Sequence, residues 1–344
     1  MKTKWLLACP FAVAFLVSAA LVWGQDKPAP AEAKAQTATA KPADEQAKKP
    51  VGEKPAADAD KEETPKFIRL RRDDSNKPLA METAVIRFVS ESRPGVAVDL
   101  IGAVHIGDKS YYDELNKLFE SYEVLLYELV APEGTTIPKG GRKGGSGHPI
   151  GALQDGMGSL LELQHQLACI DYTKANFVHA DMSPEEFSKT MTDRGESFFQ
   201  MFMRMMGQGM AQNAAGGKGG NNDVDLLFAL FSRDRATKLK IAMAEQFENL
   251  EGQMSVLEDS TIIGQRNRKC FEVLEKQLKD GKKTIGVFYG AGHFPDMEKR
   301  LVADFGMKRE SEKWLTAWQL GKKQAEQAQP KPPDEKKPVE EKKP

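Results

Sequence analysis

Two rhythms of apolar residues alternate along the chain, and their order predicts an α/β domain. Residues 67–70, 83–90 and 96–101 are short apolar-rich runs of the kind that form strands, and Arg93-Pro94-Gly95 between the last two is a turn signal. A hairpin or meander is therefore expected to open the domain. Ser110 to Asp113 reads S-x-x-D, a capping box, and Leu115, Leu118 and Phe119 follow at helical spacing. Val124-Leu125-Leu126-Tyr127 is apolar on both faces, as a buried strand is.

Residues 137–151 are rich in glycine and predict a loop. A helix over 160–169 and a strand over 177–180 come next. Ser183-Pro184-Glu185-Glu186 then supplies an N-cap, a proline at N1 and a glutamate at N3 for another helix. Long helices are expected over 225–250 and 256–279, with the cluster 216–222 of glycine and asparagine as a break before them. A strand over 284–289, a helix over 295–303 and a last strand over 314–320 complete the pattern. Strands alternating with helices after an antiparallel start predict an α/β fold, a single domain with a mixed central sheet flanked by helices.

The two ends differ from this middle. Lys2 and Lys4 lead into an apolar stretch over 6–24, the pattern of an export leader, with Val22 and Gly24 small enough for a cleavage site before Gln25. Uncut, the stretch has nearly the length needed to span a bilayer. Residues 1–24 thus read as a signal peptide or N-terminal anchor. The expected location is periplasmic or extracellular, with membrane contact only through an uncleaved leader. Residues 25–65 and 321–344 are built from Lys, Pro, Ala and Glu with few large apolar side chains, so disordered segments are expected on either side of a domain over 66–320.

Formal net charge is −1, with Lys and Arg spread among Asp and Glu, a pattern that argues against nucleic-acid binding. Cys9 lies in the leader, which leaves Cys169 and Cys270 either to pair as a disulfide or to remain as buried thiols.

The candidate chemistry sits in an internal echo. Residues 98–108 and 286–296 each run from an apolar strand into G-A-x-H, then an apolar residue and, two positions on, an aspartate: Gly102 to His105 with Asp108, and Gly290 to His293 with Asp296. Ligands bind at the carboxyl ends of strands in α/β sheets, so each motif delivers its histidine to the mouth of the sheet. Two imidazoles converging there would suit a divalent metal such as Mn, Co or Zn. Glu128, ending the apolar strand 124–127, would complete the set, since a carboxylate buried there without a partner is costly.

These residues carry a resemblance. G-A-V-H, a later strand ending in Tyr127-Glu128-Leu129, Arg266-Asn267, and G-A-G-H-F resemble the TraB/PrgY/GumN family, which is related to the Tiki metal-dependent proteases and to erythromycin-esterase-like proteins. The likeness covers residues 84–306. It implies metal-site and catalytic roles for His105, Glu128 and His293, and matches Arg266 to an arginine of the family. Gln265 stands where a glutamate often precedes that arginine, and the Met-rich and Gly-rich stretch 201–222 has no counterpart.

The function expected from the residues and the resemblance is an exported metal-dependent, peptidase-like hydrolase. Its substrate would be a peptide or a small ester or amide in the cell envelope. A metal held by His105, His293 and Glu128 would activate water, or Glu128 would act as general base, and Arg266 would stabilise the oxyanion or else form a surface salt bridge. A peptide-sequestering protein of the same fold and a metal-free esterase-like hydrolase are the alternatives. His179 and Asp181 sit two apart on a strand, where they could pair to orient a ligand or serve as a core histidine and a turn aspartate. His148 and His165 lack partners at metal-binding spacing. Met201, Met203, Met205, Met206 and Met210 suit a plastic hydrophobic helix, with Cu(I) binding or a lid as other uses.

Overall fold

The structure, a computed structural model, describes residues 67–141, 159–201, 203, 232, 234–251 and 257–321. The expected leader, linker and tail, His148, Met205, Met206, Met210 and the cluster 216–222 lie outside the described residues.

In chain order the strands are β1 (Ile68–Arg72), β2 (Pro78–Ser90), β3 (Ala97–Ala103), β4 (Ile106–Gly107), β5 (Val124–Tyr127), β6 (Gln164–His165), β7 (Phe177–His179), β8 (Thr284–Gly290) and β9 (Met307–Gln319). The α-helices are α1 (Lys109–Phe119), α2 (Gln166–Cys169), α3 (Pro184–Asp193), α4 (Arg235–Glu251), α5 (Arg266–Lys279) and α6 (Phe294–Ala303). A π-helical turn (Thr261–Gln265) precedes α5, and a 3-10 turn (Ala291–His293) precedes α6.

Seven strands form a mixed central sheet flanked by helices, as the alternation of patterns predicts. β2 carries the antiparallel half: β1 and β3 share one of its edges end to end, and β9 lines the other from Ala80 to Ser90. The parallel half runs β3-β8-β5-β7. β8 therefore lies between β3 and β5 although it comes far later in the chain, and the carboxyl ends of β3, β8, β5 and β7 stand side by side along one rim.

Four expectations change. The last strand begins at Met307, because its first half, Lys308 to Lys313, is an outer strand with mostly exposed side chains, held by backbone pairing to β2. The helix expected over 160–169 breaks where Glu162 takes a positive φ of 55°. The chain there forms β6, which pairs with β4 in a small second sheet, and the four-residue α2. The helix expected over 256–279 starts at Thr261, where Ser260 caps the π turn by accepting a hydrogen bond from the Ile263 N–H. The S-x-x-D box is not formed: Asp108 is the N-cap of α1, and Asp113 pairs with Lys109 one turn earlier. At Ser183 the capping box is complete, with its side chain and that of Glu186 exchanging hydrogen bonds with each other's backbone N–H.

Helices cover an apolar core that includes Leu125, Val287 and Phe288 from the parallel strands and Leu115, Phe119, Leu274 and Leu301 from α1, α5 and α6. A smaller apolar cluster joins Val130 and Met182, just past the ends of β5 and β7, to Phe187, Met191, Met201, Leu257, Ile262 and Ile263. Met201 is buried there, whereas Phe199 and Met203 are exposed, so the stretch carries apolar side chains on both its buried and its exposed side. Cys169 and Cys270 are both free thiols, which settles the open choice against a disulfide. Among the described residues no helix is long and apolar enough to cross a membrane.

Candidate active site at the carboxyl rim of the sheet

The two halves of the echo meet as neighbours. β3 and β8 pair in parallel with Gly102 opposite Tyr289 and Ala103 opposite Gly290, so the motifs lie side by side, offset by one residue. Past the pairing they diverge. The first bends at His105 before entering β4, whereas the second coils into the 3-10 turn that ends in His293.

Glu128 leaves β5 on the other side of β8, and both of its oxygens are engaged. Oε2 accepts the Gly290 N–H at 2.6 Å, and Oε1 accepts from Arg266 Nη2 at 2.6 Å. A Cβ on residue 290 would stand 3.3 Å from Oε2, so glycine allows the backbone to close on the carboxylate. Arg266, only 1 % exposed, also donates Nε and Nη2 to the two oxygens of Asp181, at 2.9 and 2.5 Å. That burial excludes the surface salt bridge considered for Arg266. Nε and Nη2 are thereby committed to carboxylates, and Arg266 bridges Glu128 and Asp181.

Burial works against a charged Glu128, yet Arg266 first and His293 next hold its carboxyl well below the usual range. Burial likewise opposes the charge on Arg266, and Asp181 and Glu128 outweigh it, so the guanidinium is held more firmly protonated than usual. The π turn places Arg266 at the start of α5. Its Gly264 has no room for a side chain, since a Cβ there would lie 2.0 Å from the Glu258 carbonyl oxygen. Turns of this kind recur at functional sites.

His293 is buried, and its orientation is fixed by Asn267. The Asn267 amide nitrogen donates to Asp296 Oδ2 at 2.8 Å and to the His293 carbonyl at 3.1 Å. Its Oδ1 thus accepts, and faces His293 Nδ1 at 2.6 Å. Nδ1 therefore carries a ring proton, and Nε2 is the nitrogen left to face the site. That nitrogen stands 3.6 Å from Glu128 Oε1. Imidazole nitrogen faces carboxylate, an arrangement that a cation between them stabilises, whether a second ring proton or a metal ion.

His105 is half-buried and lies within electrostatic reach of Glu128, Arg266 and His293. Burial, the largest influence, pushes its pKa down against the pull of Glu128. Among the described residues no three His, Cys, Asp or Glu side chains are gathered closely enough to hold a metal ion. The donor chemistry nonetheless fits a divalent cation: two imidazoles and a carboxylate whose oxygens each keep a second lone pair.

The structure joins His293, Glu128, Arg266 and Asp181 by direct contacts, with His105 beside them. His179 stands apart from Asp181: it donates Nε2–H to the Leu129 carbonyl at 2.6 Å, so of the two readings open for these residues the ligand-orienting pair is the one that does not form. β7 ends at His179, and the alternation that would put both side chains on one face stops there. The motif aspartates divide their work. Asp108 accepts the Gln319 N–H and ties β9 to the rim, whereas Asp296 anchors Asn267 and pairs with Arg300. Sequence reasoning missed Asn267 as a site residue, because in Arg266-Asn267-Arg268-Lys269 nothing marks one polar residue as buried. It also missed the Gly290 N–H, which any residue but proline carries.

No protein-family model, curated protein or solved structure matches this chain.

Proposed function

We propose that the chain is a metal-dependent hydrolase of the TraB/PrgY/GumN kind, exported and acting on a peptide or a small ester or amide in the cell envelope. The observation that carries this reading is His293 Nε2 turned toward the Glu128 carboxylate, with Asn267 holding the ring through Nδ1. His105, His293 and Glu128 would hold the ion, and a divalent cation held there supplies Lewis-acid polarisation of a carbonyl and a more acidic bound water.

Glu128 suits a ligand better than a general base. A carboxylate held well below its usual range by Arg266 keeps its charge and takes up a proton poorly. His105, whose pKa is lowered, stays neutral near pH 7, with a lone pair available to the ion or to a proton from water. Arg266 acts through Glu128 and not on the substrate.

The same facing pair also suits an imidazolium, which would make the protein a metal-free hydrolase with a His293–Glu128 dyad. Elemental analysis of the purified chain, loaded with Mn, Co or Zn, separates the two. Near-stoichiometric metal that His293→Ala and His105→Ala each remove is expected, together with peptide or ester hydrolysis that a chelator abolishes. Hydrolysis by protein that takes up no metal would overturn the metal and leave the dyad. Peptide binding without turnover would favour sequestration.

A further inference from the structure

His293 has an amide that fixes its ring, and a second buried amide lies beside His105. Gln166 begins α2 directly after β6, and its backbone N–H donates to the His105 carbonyl at 2.9 Å. Ile106 and His165 are opposite one another in the β4–β6 ladder, and the backbone hydrogen bond sets Gln166 beside His105 just beyond its end.

Gln166 is 93 % buried by its 7 % exposure, and its amide nitrogen donates to the Tyr172 hydroxyl at 2.8 Å. Its Oε1 is buried and has no partner at hydrogen-bonding geometry. An orphaned buried carbonyl costs about 1–3 kcal/mol, which favours a donor turning to meet it. The neighbouring donor is the His105 ring, with which the Gln166 side chain interacts. We propose that Gln166, anchored by Tyr172, is a positioning residue that accepts a hydrogen bond from the His105 ring N–H through Oε1, selecting the tautomer whose other nitrogen faces the site. The two histidines of the echo would then each be set by an amide from outside the motif, Asn267 for His293 and Gln166 for His105. This rests on His105 being a site residue and names the group that prepares it.

The test reads the tautomer directly, by nitrogen-15 NMR of the imidazoles in the metal-free full-length chain at a pH where His105 is neutral. Five histidines keep the spectrum tractable. Wild type should show His105 as one tautomer. Gln166→Met should shift its tautomer ratio by roughly three- to tenfold, the worth of one hydrogen bond, and leave His293 unchanged. Gln166→Glu, which keeps an acceptor, should restore the single form. If Gln166→Met fails to fold, Tyr172→Phe frees the amide to turn and should mix the tautomers instead. A His105 tautomer that ignores these substitutions overturns the proposal. The readout needs no metal, so a chain that binds none would count against the hydrolase reading and leave this one standing or falling on its own spectrum.

Discussion

Arg266→Met isolates the charge arrangement on which the rim depends. Arg266 neutralises two carboxylates, Glu128 with a side chain 8 % exposed and Asp181 with a side chain fully enclosed. Removing one partner of a buried ion pair costs about 3–5 kcal/mol, because the charge left behind is desolvated and unpaired. A domain is stable by only about 5–15 kcal/mol, so the variant should lose between about a fifth and the whole of its stability at pH 7. The pH dependence carries the sharper test. In wild type the Glu128 pKa is depressed, so its contribution is complete above the ordinary carboxylate range near about 4.3 and is lost as pH falls through its lower folded value. Without Arg266, burial dominates and the Glu128 pKa rises above that of the unfolded chain. Protonation then favours the folded variant, which should regain up to about 1.4 kcal/mol per pH unit for each proton taken up as pH falls from neutral. Urea denaturation of both proteins at pH 7 and pH 5 measures this. A cost under about 1 kcal/mol at pH 7, or a gap that does not narrow at pH 5, would refute the reasoning. Arg266→Lys should fall between the two, since an ammonium keeps the charge and loses the two-pronged contact with Asp181.

Gly264→Ala should destabilise by about 2 kcal/mol or more in thermal unfolding, because its Cβ would meet the Glu258 carbonyl oxygen at 2.0 Å and the π turn would have to shift. Ser183→Ala should cost about 1 kcal/mol by losing the cap of α3, measured by urea denaturation. Native thiol labelling followed by peptide mapping should modify Cys169 well before Cys270, whose thiol is buried and pushed up in pKa by that burial; equal rates would contradict the placement of Cys270 in the core.

What sequence could foretell here tracks how far each feature depends on local pattern. The β5 run 124–127 is apolar on both faces and lies between neighbours on both sides, so its bounds match the expectation. Ser183 caps α3 through contacts three residues away, and it too was legible. β9 was seen only in part, because the pairing that makes Lys308 to Lys313 a strand comes from β2, more than two hundred positions earlier. In the rim, His105, Glu128, His293 and Asp181 were marked by their residue type at or near strand ends, and Arg266 by the family resemblance. Asn267 and Gln166 were not. An amide's use is fixed by which of its atoms finds a partner, and those partners come from Asp296 and Tyr172, in other elements.

The order of the parallel strands explains why the two motifs can echo each other at all. Had β8 added to an outer edge of the parallel run, Glu128 and His293 would have been separated by at least one strand spacing more, about 4.8 Å. Insertion between β3 and β5 instead lets the Gly290 N–H reach Glu128 on one side while β8 pairs with the strand that leads to His105 on the other. The contacts that build the rim span 162 positions from Glu128 to Gly290 and 138 from Glu128 to Arg266. Closing loops of that length is entropically costly, so these contacts should form late in folding, once β8 has entered the gap. Until then Glu128 lacks both of its donors, and the desolvation it would suffer in a collapsed sheet opposes closing β5 against β3. The carboxylate on which the site is built thus favours β8 as the strand that completes the sheet, because β8 and the helix before it bring the groups that neutralise it.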